Sequence, residues 1–137
     1  MANVIERQIL EEGPRNAVVK VAGWLDASDI NAASIIQLSD FTNNDQGMGA
    51  LVGLRVNEIE FSVSEPLVVQ AAWNAATPQM IANVAQSGEL YWAKQGGLLP
   101  DQTRSGYDGS INVKTGGYVG GTTRGFTLTF KLVKLYN

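Results

Sequence analysis

The chain has no histidine and no cysteine. Imidazole bases, thiolate nucleophiles, zinc fingers, haem and iron-sulfur ligation and disulfide frameworks are excluded with them. No catalytic residue, no cofactor and no metal site is therefore expected. Charge is also scarce, with charged residues making up 17% of the chain. The 10 Lys and Arg against 13 Asp and Glu give a net charge of -3, and the cations are scattered. A nucleic-acid partner needs a basic patch to displace counterions, so none is expected. No apolar run approaches the ~20 residues of a membrane helix, which sets a membrane aside. The opening MANVIERQILEEGP puts Glu6 and Arg7 where a signal peptide carries its apolar stretch, so no export signal is expected.

What remains is a chain of 137 residues that is 45% hydrophobic with 15 glycines. One packed domain over residues 1–137 follows, burying roughly 68% of its unfolded surface. The patterning is that of strands. In GFTLTFKLVKLYN, Phe126, Leu128, Phe130 and Leu132 alternate with Thr127, Thr129 and Lys131, the period-two signature of a half-buried strand. In LVGLRVNEIEFSVS the apolar parity slips at Asn57-Glu58, which predicts a β-bulge. NAVVKVAGWL and LVVQAAWN alternate as well, and 35–38, 90–93 and 110–114 are shorter candidates. Seven or eight strands predict an all-β, antiparallel, jelly-roll-like sandwich. One short helix is predicted in TPQMIANVAQSG, with Thr77 as cap, Pro78 in the first turn and Met80, Ile81 and Val84 on one face. DASDINAASIIQL reads equally as helix or extended chain.

Several motifs invite chemistry and have a plainer reading. GMGALVG lacks the strand before and helix after that a dinucleotide site needs, so it reads as a turn into a strand. DFTNNDQG lacks the glycine and the bidentate glutamate of a calcium loop and reads as a surface loop. GGTTRG reads as a hairpin turn. Glu58 and Glu60 share a strand face, as a glycosidase pair would, yet the wet side of a strand explains them. Trp24, Trp73, Trp92, Tyr91, Tyr107 and Tyr118 offer stacking surface. Trp73 keeps core parity, whereas Tyr107 and Tyr118 lie in glycine-rich loops and are the better exposed contacts. Residues 1–13 hold Ile5 and Ile9 around a polar Glu6-Arg7-Gln8 knot. That pattern suits either an edge strand of its own sheet or an arm pairing with a neighbouring chain.

RQILEEGPRNAVVKVAGWLD, LRVNEIEFSVSEPLVVQAAWNAATPQMIANVAQSG and GGLLPDQTRSGYDGSINVKTGGYVGGTTRGFTLTFKLVK together cover most of the chain. Through them the sequence resembles the capsid decoration or cement proteins of tailed bacteriophages. The resemblance lies in the GPRNAVVKV opening, the turn from Trp73 to Pro78, Gly96-Gly97-Leu98 and Gly109-Ser110-Ile111, none of them a chemical motif. Trp24 and the loop DFTNNDQGMG depart from it. The resemblance implies a non-enzymatic β-sandwich made in the host cytoplasm and carried on the capsid exterior of the virion. It implies the major capsid protein as partner, and self-association as trimer or dimer. Candidate capsid or subunit contacts are Val4, Ile5, Arg7, Ile9, Arg15, Tyr107, Tyr118 and Arg124. The alternative is a tail, baseplate or fibre jelly roll binding host glycan through exposed aromatics.

Overall fold

A computed structural model describes residues 3–41 and 49–136. Its strands are β1 (Val4–Glu12), β2 (Asn16–Leu25), β3 (Ala33–Ile36), β4 (Leu51–Val63), β5 (Val68–Trp73), β6 (Gln79–Val84), β7 (Ser87–Tyr91), β8 (Ile111–Gly116) and β9 (Arg124–Tyr136). They form a five-stranded sheet in the order β1-β2-β9-β4-β7 and a four-stranded sheet in the order β3-β8-β5-β6. Every pairing is antiparallel: β2 with β9, β3 with β8, β4 with β7 and β5 with β6. Those four pairs are one long hairpin, β2 to β5 out and β6 to β9 back, rolled into two facing sheets. This winding is the jelly roll, and β1 is an extra edge strand added to it.

Alternation fixes which face goes inside. In β2, Ala17, Val19, Val21 and Leu25 are fully buried, and in β9 Phe126, Leu128, Phe130 and Leu132 are buried. From the other sheet Val69, Trp73, Ile111 and Val113 meet them to form one core. The predicted bulge is present, since the ladder between β4 and β9 shifts register between Val56 and Glu58. Ile59 and Val63 thereby return to the core. Gly23 is needed where it stands: the Phe126 ring fills the space its side chain would take.

Three expectations are corrected. The helix predicted over TPQMIANVAQSG is strand β6 leading into β7. The ladder with β5 skips Ile81, and this bulge places Ile81 and Val84, three apart, on the same inward side. Spacing of three in a bulged strand mimics a helical face. GGTTRG is not a hairpin turn, because the segment carries the chain from β8 in one sheet to β9 in the other. In the ambiguous DASDINAASIIQL, the chain is strand at Ala33–Ile36, followed by a single 3-10 turn at Leu38–Asp40. Most of the acidic loop DFTNNDQG, and the first residues of GMGALVG, lie outside the described residues.

Within residues 1–13, Val4–Glu12 is an edge strand. β1 pairs with β2 from Val4↔Trp24 to Glu12↔Ala17, with a bulge at Leu10. Its inward residues Ile5 and Ile9 pack on the core. Among the described residues, no strand lies beside its other edge.

Candidate functional site

The even-numbered positions of β2 point away from the core, and one of them is a tryptophan. Trp24 is 56% exposed on the outer face of the five-stranded sheet. Residues directly opposite in antiparallel strands share a face. Val4 lies opposite Trp24 on one side and Gly125 on the other, while Ala22 stands opposite Glu6 and Thr127. Ser62 of β4 is opposite Thr127 and completes the row. Small residues thus floor a groove and the indole walls it. A side chain at Gly125 would come within 3.2 Å of indole Cε3, so glycine there is what lets the ring lie close to the sheet.

The groove encloses about 680 Å³ and is lined with hydroxyls as well as apolar surface. That is within the usual size of a ligand site. Ser64 ties its floor together, since its Oγ accepts from Gly125 N–H at 2.8 Å and donates to Gly125 carbonyl oxygen at 2.9 Å. Ser62, Thr123 and Thr127 contribute the other hydroxyls and Glu6 a carboxylate. Such a surface can stack a flat or ring-shaped group on the indole and hydrogen-bond its periphery.

Of the candidate capsid or subunit contacts, only Val4 lines this groove. Arg7 passes beneath β1, donating to Asp40 at 2.9 Å and to the Ile35 carbonyl at 3.3 Å, and thereby ties β1 to the opposite sheet's edge. Arg15 is exposed in the turn after β1, and its carbonyl accepts from Lys134 N–H at 2.7 Å. Arg124 opens β9 with Nη1 on the Thr123 carbonyl at 2.9 Å, beside the groove without lining it. The two loop tyrosines are half-buried, with both hydroxyls used internally. Tyr107 donates to the Val52 carbonyl at 2.8 Å, and Tyr118 to the Thr122 carbonyl at 2.6 Å. Burial, with the Asp108 carboxylate adding to it, pushes the Tyr107 phenol up from its ordinary value. Trp24 therefore takes the exposed aromatic role that the loops suggested for Tyr107 and Tyr118. Parity in β2 was the signal for it.

Glu58 and Glu60 do share the outer face of β4, as their spacing predicts. Lys131 stands over both, with Nζ 3.4 Å from Glu58 and 3.5 Å from Glu60. Glu58, with Glu60 adding, holds the ammonium above the ordinary lysine range. Glu89 approaches the same pair, with one oxygen of each of the three carboxylates within 4.8 Å of the others.

The four-stranded sheet carries a polar chain. Asp108 accepts from the Ser110 N–H and hydroxyl and from the Asn74 amide, and Asn74 in turn accepts from Asn112 at 3.0 Å. Partial burial raises the Asp108 carboxyl, but the Ser110 hydroxyl and N–H and the Asn74 amide outweigh it and hold it below its ordinary value. A carboxyl depressed by folding contributes stability above its unfolded pKa and loses it as pH falls through the folded value. Thermal melts taken from about pH 5 down to pH 2 should therefore lose less stability with acid in Asp108→Asn than in the unsubstituted chain. Parallel acid limbs would sink this assignment.

Comparison of the chain with protein-family models, with curated proteins and with solved structures returns no match.

Proposed function

We propose that this chain is a virion structural protein of the decoration or cement type, binding the outer surface of an assembled phage head. The observation that supports the reading best is a nine-residue edge strand, open on one side and bordered by the exposed Trp24 groove. An open strand edge offers main-chain hydrogen bonds to a neighbouring subunit, and an exposed aromatic beside it offers an anchor. Decoration then acts by mass action: a ligand that binds only the assembled shell stabilises it, by about 2.7 kcal/mol per site at roughly 100 times Kd. Self-association as a dimer or trimer would match symmetry axes of the shell. In this reading the protein is made in the host cytoplasm and its partners are the major capsid protein and its own copies.

Purified protein is expected to co-sediment with expanded heads at a fixed stoichiometry and to raise their rupture temperature. Trp24→Ala, at an exposed site, should keep the fold and weaken head binding by about 10-fold or more. A protein that never associates with heads refutes the proposal.

The groove's mixed lining favours a second reading, a tail, baseplate or fibre module that stacks a host sugar ring on Trp24. A glycan array separates the two. Retention of one sugar class, lost in Trp24→Ala, together with failure to bind heads, selects the second.

A further inference from the structure

Among the described residues no strand lies beside the outer edge of β1, and Val4–Glu12 contains neither proline nor lysine, two residues that blunt such edges. We infer that this edge pairs antiparallel with β1 of a second copy about a two-fold axis at Arg7, joining two five-stranded sheets into one. The inference deepens the proposed function by naming the surface and register of self-association, but its geometry stands without a capsid.

A two-fold axis perpendicular to the sheet leaves each face on its own side. Outward residues must then meet outward residues, so a slip of one position is forbidden and only alternate registers remain. Val4, Glu6 and Gln8 point outward, while Ile5 and Ile9 point to the core. With Glu6 at the axis, two carboxylates meet and Ile5 faces the partner's Arg7. With Gln8 at the axis, Glu6 faces the partner's Leu10 and Ile5 faces the partner's Glu11. With Arg7 at the axis, Val4 faces the partner's Leu10, Ile5 faces the partner's Ile9, and Glu6 faces the partner's Gln8. This register matches apolar to apolar on both faces and separates the carboxylates.

Two further observations fit it. Val4 is 48% exposed and Leu10 is 51% exposed, and each would cover the other at both ends of the junction. The two Arg7 side chains that meet at the axis each already carry a countercharge, Asp40 at 2.9 Å. The bulge at Leu10 ends the shared ladder there. A junction of that length is small, so association should be weak, with Kd roughly 10 µM.

The chain has no cysteine, so introduced ones report the register cleanly. Under mild oxidation the double variant V4C/L10C is expected to form a disulfide-linked dimer, and V4C alone and L10C alone are not. In sedimentation velocity, Val4→Lys should weaken the dimer about 10-fold and V4K/L10E should recover it, because positions 4 and 10 meet only across the axis. Cross-linking in either single variant, no recovery in V4K/L10E, or a monomer at roughly 1 mM overturns the pairing. A monomer that still binds heads overturns the pairing and leaves the decoration reading standing. A dimer with the expected cross-links that ignores heads upholds the pairing and refutes decoration.

Discussion

Replacing Trp73 with alanine is expected to cost about 4 kcal/mol of folding stability, the upper range for core substitutions. Trp73 is the largest of the fully buried side chains, at 2% exposure. It stands at the end of β5 in one sheet, and its indole N–H donates to the Leu54 carbonyl in the other at 3.1 Å. The ring therefore fills the core and also satisfies a buried acceptor between sheets. Alanine removes both contributions and leaves a cavity that two rigid sheets cannot close. Phenylalanine keeps most of the volume and loses the donor, so Trp73→Phe should cost about 1–3 kcal/mol for the orphaned carbonyl. Urea denaturation measures both. A cost for Trp73→Ala below about 1 kcal/mol would mean that the indole is not held between the sheets.

Glu12→Gln is expected to be nearly as damaging, at about 3 kcal/mol, although it changes one atom at a strand end. The reason lies two strands away, on β9. Lys134 continues the inward parity of β9 after Leu132 with a side chain that is 0% exposed, and its Nζ meets Glu12 Oε2 at 2.9 Å. The Phe41 ring lies 5.3 Å away as a secondary partner. Removing the carboxylate charge leaves a cation on a side chain closed to solvent. An uncompensated buried charge costs far more than an intact pair contributes. Lys134→Met fills the same space without a charge and should fall within about 1 kcal/mol of the parent chain. The double variant E12Q/K134M should recover most of what E12Q alone loses. Equal losses in E12Q and K134M would refute this account, and hydrogen exchange should place the E12Q defect in the β1 end next to Glu12.

The sheets were legible wherever one face is wet and the other dry. β9 and β2 alternate without interruption, so their buried residues are read directly from Phe126 to Leu132 and from Ala17 to Leu25. The slip at Asn57-Glu58 was visible because apolar residues resume on the other parity at once. The same device hid β6: its bulge at Ile81 produced a helical spacing beside a plausible cap at Thr77. Which strands become neighbours was not legible, since β8 and β9 are consecutive yet lie in different sheets. Such pairing is decided by contacts between distant segments. The groove was half legible. Parity alone turned Trp24 outward, but its floor joins β1, β2, β4 and β9, which no local pattern aligns. Tyr107 and Tyr118 misled because glycine-rich loops suggest exposure, whereas folding found both hydroxyls an internal acceptor.

The position of β9 constrains how the molecule can be made. It lies between β2 and β4, and Asn16 pairs with Val133. A ribosome delivers β2 and β4 long before the strand that must separate them. Until β9 emerges, both keep unpaired backbone and an apolar face in water. The ladders of β9 with β2 and with β4 can form only once this last strand has emerged, so completing the sheet is slow, as for other topologies dominated by distant pairings. A product terminated before Arg124 would lack the middle of its larger sheet, so quality control would meet a chain with no native core to salvage.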